Sequence, residues 1–233
     1  MSISKRLIMA CMAVAAFAAF VLPATAAAQN DPQLTDPPGV LVPAGAKIVA
    51  TNVGDTLLYD TSRSSVLLRC STAKITGTLT KNSGTPGSVE GTIETAEFSG
   101  TGGLIAGEPK NECTGFASAA VTPLVGAGWS IKSLSTYSTD EFRLTTSAGG
   151  KIKFLLTVTK LFGGTEKCEY EATGPVVGEA TTNTDLIHIK ATESSTVKNG
   201  FKRIVGAFPC PESSQLEMTF TLETEDGTPI TIS

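Results

Sequence analysis

Gln215-Leu216-Glu217-Met218-Thr219-Phe220-Thr221-Leu222-Glu223 places an apolar side chain at every second position, with threonine or glutamate between them. Successive side chains of an extended chain point to opposite faces, so this is a half-buried antiparallel strand with one face on a core. Asp226-Gly227 follows and Thr228–Ile232 alternates again, which predicts a terminal hairpin. On that reading the chain ends inside a strand, with no room for a wall-sorting tail.

The same period of two recurs upstream. Strands are expected near Lys47–Thr51, Val66–Cys70, Lys74–Thr80, Thr92–Phe98, Trp129–Leu134, Glu141–Thr145, Lys151–Thr159, Lys167–Glu171, Leu186–Ala191 and Phe201–Val205. In Lys151–Thr159, Ile152, Phe154, Leu156 and Val158 share a face, and Leu155 opposite them suggests a central strand covered on both sides. Asn199-Gly200 has the chemistry of a type I′ hairpin turn, because both central residues need positive φ. Gly149-Gly150 and Gly163-Gly164 are weaker signals of the same kind. Abundant Thr, Ser and Gly, few aromatics and no amphipathic helix pattern complete the texture of an all-β chain.

The N-terminus reads differently. Lys5 and Arg6 precede an unbroken apolar run, Leu7–Leu22, after which Pro23 breaks any helix and Ala24-Thr25-Ala26 and Ala26-Ala27-Ala28 supply small-residue cleavage frames. Residues 1–28 are therefore expected to be a signal peptide, leaving Ala27 or Gln29 at the mature start. Sixteen apolar residues fall short of the roughly 20 that a membrane helix needs. Cys11 superficially offers a lipid-anchor site, but cleavage there would leave Met12–Leu22, still apolar, on the mature protein. Residues 29–46, with Pro32, Pro37, Pro38 and Pro43, read as an extended linker, and 47–233 as one all-β domain.

Loss of the leader takes 18 basic residues to 16 against 22 acidic ones, a formal charge of −6. With no Lys/Arg cluster, this argues against a nucleic-acid partner. No second stretch is long and apolar enough to span a bilayer.

Four cysteines remain after the leader: Cys70, Cys113, Cys168 and Cys210. In an exported chain, isolated cysteines point to disulfides, and four allow three connectivities. Cys70 and Cys113 lie 43 positions apart and Cys168 and Cys210 lie 42 apart. This hints at a pseudo-repeat of about 47–128 and 129–233, and favours the pairs Cys70 with Cys113 and Cys168 with Cys210.

Leu67-Leu68-Arg69-Cys70, Ile75–Thr80 (Ile-Thr-Gly-Thr-Leu-Thr), Gly91–Ile93, Cys168-Glu169-Tyr170 and the closing Gly-Thr-Pro-Ile-Thr-Ile resemble a set of secreted, cysteine-containing, Thr-rich β proteins found in many copies in some actinobacteria. The resemblance spans nearly all of the mature chain. It implies export and a β fold, and brings no activity and no functional residues with it.

Each candidate chemistry has a plainer counterpart. His188 is the sole histidine; in Leu186-Ile187-His188-Ile189-Lys190 it shares the outward face with Lys190, and no Gly-x-Ser-x-Gly elbow accompanies it. Without Cys-x2-Cys pairs or a second histidine, no common zinc ligand set can be completed. Glycoside hydrolysis needs only two acids, for which Glu90, Glu94 and Glu97, or Glu217, Glu223, Glu225 and Asp226, are the candidates; a solvated face is their ordinary reading. Asn183-Thr184-Asp185 and Glu223–Asp226 lack calcium-loop spacing. Gly100-Thr101-Gly102-Gly103 lacks the helix and Lys-Ser/Thr of a phosphate cradle. Trp129, Tyr137, Tyr59 and Tyr170 are the rings available for stacking on sugars, with Trp129 expected in the core.

The combined expectation is an all-β, antiparallel β-sandwich with two disulfides, secreted or at the cell surface, or periplasmic if the organism has an outer membrane. It is expected to be non-enzymatic and without cofactor, binding an unknown extracellular ligand or cell-surface component through its loops, of which Gly100–Asn111 and Val121–Gly128 are the longest. The rival is an extracellular carboxylate-based hydrolase such as a glycosidase. A third class, an inhibitor of secreted enzymes, would need a protruding loop fastened by a disulfide, and Pro209-Cys210-Pro211 is the pattern that hints at one.

Overall fold

A computed structural model of the chain describes residues 32–61, 65–83, 89–100, 112–115, 119–125, 128–135, 140–146, 150–160, 163–180, 185–189 and 199–232. Every named element is a β-strand and every strand pairing is antiparallel. After a short β1 (Leu34–Thr35), the strands fall into eight long staves, most of them broken once near the middle. The first is β2 (Lys47–Asn52) with β3 (Thr56–Asp60), the second β4 (Val66–Cys70) with β5 (Thr72–Asn82), and the third β6 (Val89–Ser99) with β7 (Thr114–Gly115). The fourth is β8 (Ala119–Pro123) with β9 (Trp129–Ser135), and the fifth β10 (Asp140–Thr146) with β11 (Lys153–Thr159). The sixth is β12 (Thr165–Ala172) with β13 (Val176–Ala180), the seventh β14 (Leu186–Ile189) with β15 (Gly200–Val205), and the eighth the unbroken β16 (Ser213–Thr224). A last strand, β17, covers Thr231–Ile232.

Each stave pairs with the next in sequence, and β16 pairs back onto both β2 and β3. Phe220 faces Asn52 and Leu216 faces Leu58, so the eighth stave spans the whole length of the first. The result is an up-and-down ring, in which the return of β16 onto β2 and β3 covers backbone that an open sheet would present; β7 alone among these strands ends the path, paired with β4 and followed by the isolated bridge of Cys113 with Ala119. The all-β antiparallel architecture is as expected; its closure is the feature that local periodicity does not reveal.

The stave breaks divide the ring into two tiers. Asn52, at the end of β2, shows how a break is held: its side-chain oxygen accepts from the Ala73 backbone NH at 2.7 Å and its amide donates to the Ser71 carbonyl at 3.1 Å. One tier contains both disulfides, Cys70–Cys113 and Cys168–Cys210, with Cα atoms 4.5 and 5.9 Å apart. Its buried residues include Leu68, Trp129, Phe154, Leu156, Tyr170, Phe201 and Met218. The other tier buries Leu79, Val89, Phe142, Ala180, Ile187 and Leu222 together with Leu34, Val42, Ile230 and Ile232 from the two chain ends.

That last cluster revises the reading of residues 29–46 as a linker. Leu34 pairs with Ile232 and Thr35 with Thr231, and Leu34 and Val42 are buried. Asn82 fastens this segment: it accepts from the Leu34 NH at 3.1 Å and donates to the Leu34 and Val42 carbonyls at 2.7 and 3.0 Å. The expected terminal hairpin forms only at its root. Thr224 and Thr228 share a backbone bond around Gly227 (φ 84°), and the Ile230 NH reaches the Leu222 carbonyl, but Thr231–Ile232 then leaves to pair with β1.

Of three turn readings, two also change. Gly163-Gly164, both at positive φ, does join the paired β11 and β12. Asn199-Gly200 does not make a two-residue hairpin, since only Asn199 is left-handed and Gly200 is already in β15 opposite Gln215. Gly150 sits at the break between β10 and β11, which are not partners of one another. Likewise the expected repeat boundary at 128/129 falls inside the fourth stave, at a kink where the Gly128 NH bonds the Val125 carbonyl at 2.6 Å.

Candidate functional site

Alternation decides what lies inside the ring. Along β16, Ser214, Met218, Phe220 and Leu222 are buried while Glu217, Thr219, Thr221 and Glu223 are half-exposed. Ile152, Phe154, Leu156 and Val158 face inward as expected, and β11 is flanked by β8 and β12; Leu155 on the outer face is half-buried. Outward positions carry Lys74, Glu94, Glu97, Lys132, Arg143, Lys167 and Lys202, all exposed. An apolar lumen inside a charged outer wall is the polarity of a barrel standing in water, the reverse of one that faces lipid. Among the described residues no helix is long and apolar enough to cross a membrane.

The lumen is not filled. Two cavities lie within it, one of about 70 Å³ in the disulfide tier and one of about 110 Å³ in the other. Ile75, Leu144, Val176 and Ile189 border both, so the chambers meet at the waist. Inward-facing Ile48, Ile75, Ile93, Val121, Ile131, Leu144 and Leu216 are only half-buried, which for lumen residues means that their side chains border empty space. Two glycines in the wall let isoleucines sit close to the backbone: at Gly178 a Cβ would come within 2.7 Å of an Ile187 methyl, and at Gly91 within 3.2 Å of one on Ile131. Among the described residues no aspartate, glutamate, lysine, arginine or histidine lines either chamber.

Three threonines interrupt this apolar wall, Thr78 and Thr92 at the larger chamber and Thr56 at the waist. Thr56 stands apart from the other two. It is 4% exposed, lines the smaller chamber, and its Oγ1 has no hydrogen-bond partner among the described residues. Sequence reading passed over it because Thr56–Asp60 has Leu57 and Leu58 side by side and shows no alternation. Asn52 and Asn82, which fasten a stave break and the N-terminal segment, were also passed over. Asn199, read as a turn residue, instead clamps β13: its Oδ1 accepts from the Val177 NH at 2.6 Å and its amide donates to the Val177 carbonyl at 2.9 Å.

The carboxylates singled out from sequence lie on the outside. Glu90 pairs with Lys132 at 3.0 Å and Glu94 with Lys47, and these lysines hold both carboxyls below the usual carboxylate range. Glu97 is exposed, and Glu217 and Glu223 are on the outer face of β16. Asp226 accepts from the Thr224 hydroxyl and the Thr228 NH within its turn, which lowers its pKa; Glu225 is exposed beside it. The calcium reading of Glu223–Asp226 thus meets a carboxylate already committed to turn geometry. Asp185 is described, while residues 183 and 184 lie outside the described residues; no cluster of metal-ligand type occurs among those described.

His188 is half-exposed between buried Ile187 and Ile189, with Nδ1 3.0 Å from the Thr219 hydroxyl. Trp129 is buried, its indole NH donating to the Leu124 carbonyl at 3.3 Å, and Tyr59 is half-buried. Tyr170 is fully buried, stacked on Phe154 with ring centres 5.1 Å apart, and its hydroxyl donates to the Pro211 carbonyl at 2.7 Å. Burial pushes its phenol up to about 12. Residues 101–111, including most of the Gly100–Asn111 loop and of the Gly-rich candidate at 100–103, lie outside the described residues, as does Tyr137. Val121–Gly128 is not simply a loop, because Val121–Pro123 belongs to β8 and Val121 faces the lumen.

Between β15 and β16 the chain makes a protruding turn. Phe208 is 84% exposed at its tip, while Cys210 is buried and tied to Cys168. Arg203 donates to the Cys210 carbonyl and the Ala207 NH bonds Glu166 at 3.3 Å, so the base of the turn is held from both sides.

Compared with known proteins, the chain matches no family model, no curated protein and no solved structure.

Proposed function

We propose that this is an exported, non-enzymatic binding protein that holds a small apolar ligand inside its closed barrel. Export is supported by the leader-like residues 1–28 and by two disulfides, which persist in oxidising surroundings. The observation that carries the binding reading is the lumen itself: interior isoleucines, leucines and valines packed onto the core also border two cavities that share a wall. Small eight-stranded barrels either fill their interior with side chains or keep room for one ligand, and dry apolar cavities take up apolar molecules. The named carboxylates sit outside, and Glu90, Glu94 and Asp226 are bonded to lysines or turn groups, which supports binding over the rival glycosidase reading.

The test is to titrate the mature protein with hexane, a flexible apolar molecule, and to follow the heat of binding by calorimetry together with the emission of Trp129, which lines one chamber. A saturable one-to-one complex is expected. A titration with neither binding heat nor a change in emission contradicts the reading.

A second reading rests on Phe208. An exposed aromatic on a disulfide-fastened turn has the shape required of an inhibitor loop, with an extracellular enzyme as partner. It is checked by assaying secreted proteases and glycosidases with the wild type and Phe208→Ala; inhibition lost in the variant supports it, and no inhibition by either contradicts it.

A further inference from the structure

We infer that the ligand is an uncharged, single-chain aliphatic molecule with one hydrogen-bonding oxygen, a short-chain alcohol or ester, its oxygen held at Thr56 and its chain lying along the barrel axis. This rests on the binding reading above and adds the chemical class.

Shape sets the first limit. The chambers of about 70 and 110 Å³ lie end to end and share Ile75, Leu144, Val176 and Ile189 as their common wall. An apolar cavity of about 150 Å³ accommodates a molecule the size of benzene. Neither chamber admits a rigid fused-ring system, whereas a flexible chain passes the shared side chains one methylene at a time.

Charge sets the second. Among the described residues no aspartate, glutamate, lysine, arginine or histidine lines either chamber, and an unpaired carboxylate or ammonium beside these side chains carries a desolvation cost that they do not offset. A fatty acid in its ionised form is excluded by the same argument that admits its alcohol.

The third limit is the orphan hydroxyl. Buried polar groups are almost always bonded, and an exception in a native protein calls for an explanation. Thr56 Oγ1 is such an exception, and it borders the smaller chamber. The hydroxyl of Thr78, which borders the larger one, is already committed to Glu94 at 2.6 Å. Of the buried side-chain polar atoms without a partner among the described residues, Thr56 Oγ1 is the one whose residue lines a chamber, and a ligand oxygen completes it.

The experiment measures, by the same titration, the affinity of the mature, disulfide-intact protein for 1-hexanol, hexane, hexanoate at pH 8 and cholesterol. Hexanol is expected to bind about tenfold more tightly than hexane, the worth of one buried hydrogen bond. Hexanoate and cholesterol are expected to bind more weakly than hexane. Thr56→Val keeps the side-chain shape and is expected to erase the alcohol preference, read as the ratio of hexanol to hexane affinity; Thr56→Ser should keep the preference, and serves if the valine variant does not fold. Tighter binding of cholesterol or hexanoate, or a preference that survives Thr56→Val, overturns the chemical class while leaving the binding reading standing. If none of the four binds, both fall together.

Discussion

Tyr170 joins the barrel wall to the turn that follows β15. Its ring stacks on Phe154, which also meets Phe201 edge-on at 4.9 Å, and its hydroxyl reaches Pro211 just past the Cys168–Cys210 bridge. The fold holds the neutral phenol, because burial raises its pKa to about 12 from an ordinary value of 10. The stabilisation is complete below pH 10 and is lost as the pH climbs from 10 toward 12, since the unfolded phenol releases its proton first. Urea unfolding between pH 9 and 12 should show this decline, and Tyr170→Phe should flatten it while lowering stability near neutral pH by about 1 kcal/mol through the lost bond to Pro211. A variant with the same alkaline slope as the wild type would mean that another group titrates.

At the scale of elements, the terminal segments are structural parts of the barrel. Leu34, Val42, Ile230 and Ile232 join the buried cluster of one tier, and the only link between their strands is a pairing across nearly the whole chain. Truncating Leu34 to alanine removes a buried side chain from that cluster and is expected to cost about 2–5 kcal/mol, measured as a lower urea midpoint with an unchanged slope. An effect below about 0.5 kcal/mol, typical of a surface site, would return residues 32–46 to the role of a solvated arm. Strands with alternation, such as Lys153–Thr159 and Ser213–Thr224, are legible in the sequence. Thr56–Asp60, Ala119–Pro123 and Val176–Ala180 were not, because each has adjacent like residues or flanking proline that hides the period. β1 was illegible for a different reason: two residues become a strand only because Thr231–Ile232 arrives from 196 positions away, and no local pattern encodes that.

For the whole molecule, ring closure is the fact that local reading lacked. Every neighbouring pair of staves follows from sequence order, but the contact of β16 with β2 and β3 is long-range, and whether a sheet curls shut depends on summed twist and on what its interior can hold. The lumen was illegible for the same reason, since no single residue announces that its inward neighbours leave a gap; Thr56 acquires meaning only when the wall around it is assembled. A barrel with unfilled chambers forgoes packing that a solid core would supply, so stability must come from elsewhere. Both disulfides lie in one tier, each joining the cysteine of an even-numbered stave to a partner about forty residues on. Cross-links of that span stabilise by about 4 kcal/mol each on the chain-entropy model, comparable with the net stability of a whole domain. Reduction should therefore lower the urea midpoint steeply, and single-bridge variants, Cys70→Ala with Cys113→Ala and Cys168→Ala with Cys210→Ala, should each give roughly half the loss. Bridge removal should weaken the disulfide tier first, so amide exchange in β4 and β12 should accelerate before that in β5 and β13. A reduced protein as stable as the oxidised one, or exchange that rises evenly through both tiers, would show that the bridges do not compensate for the open lumen.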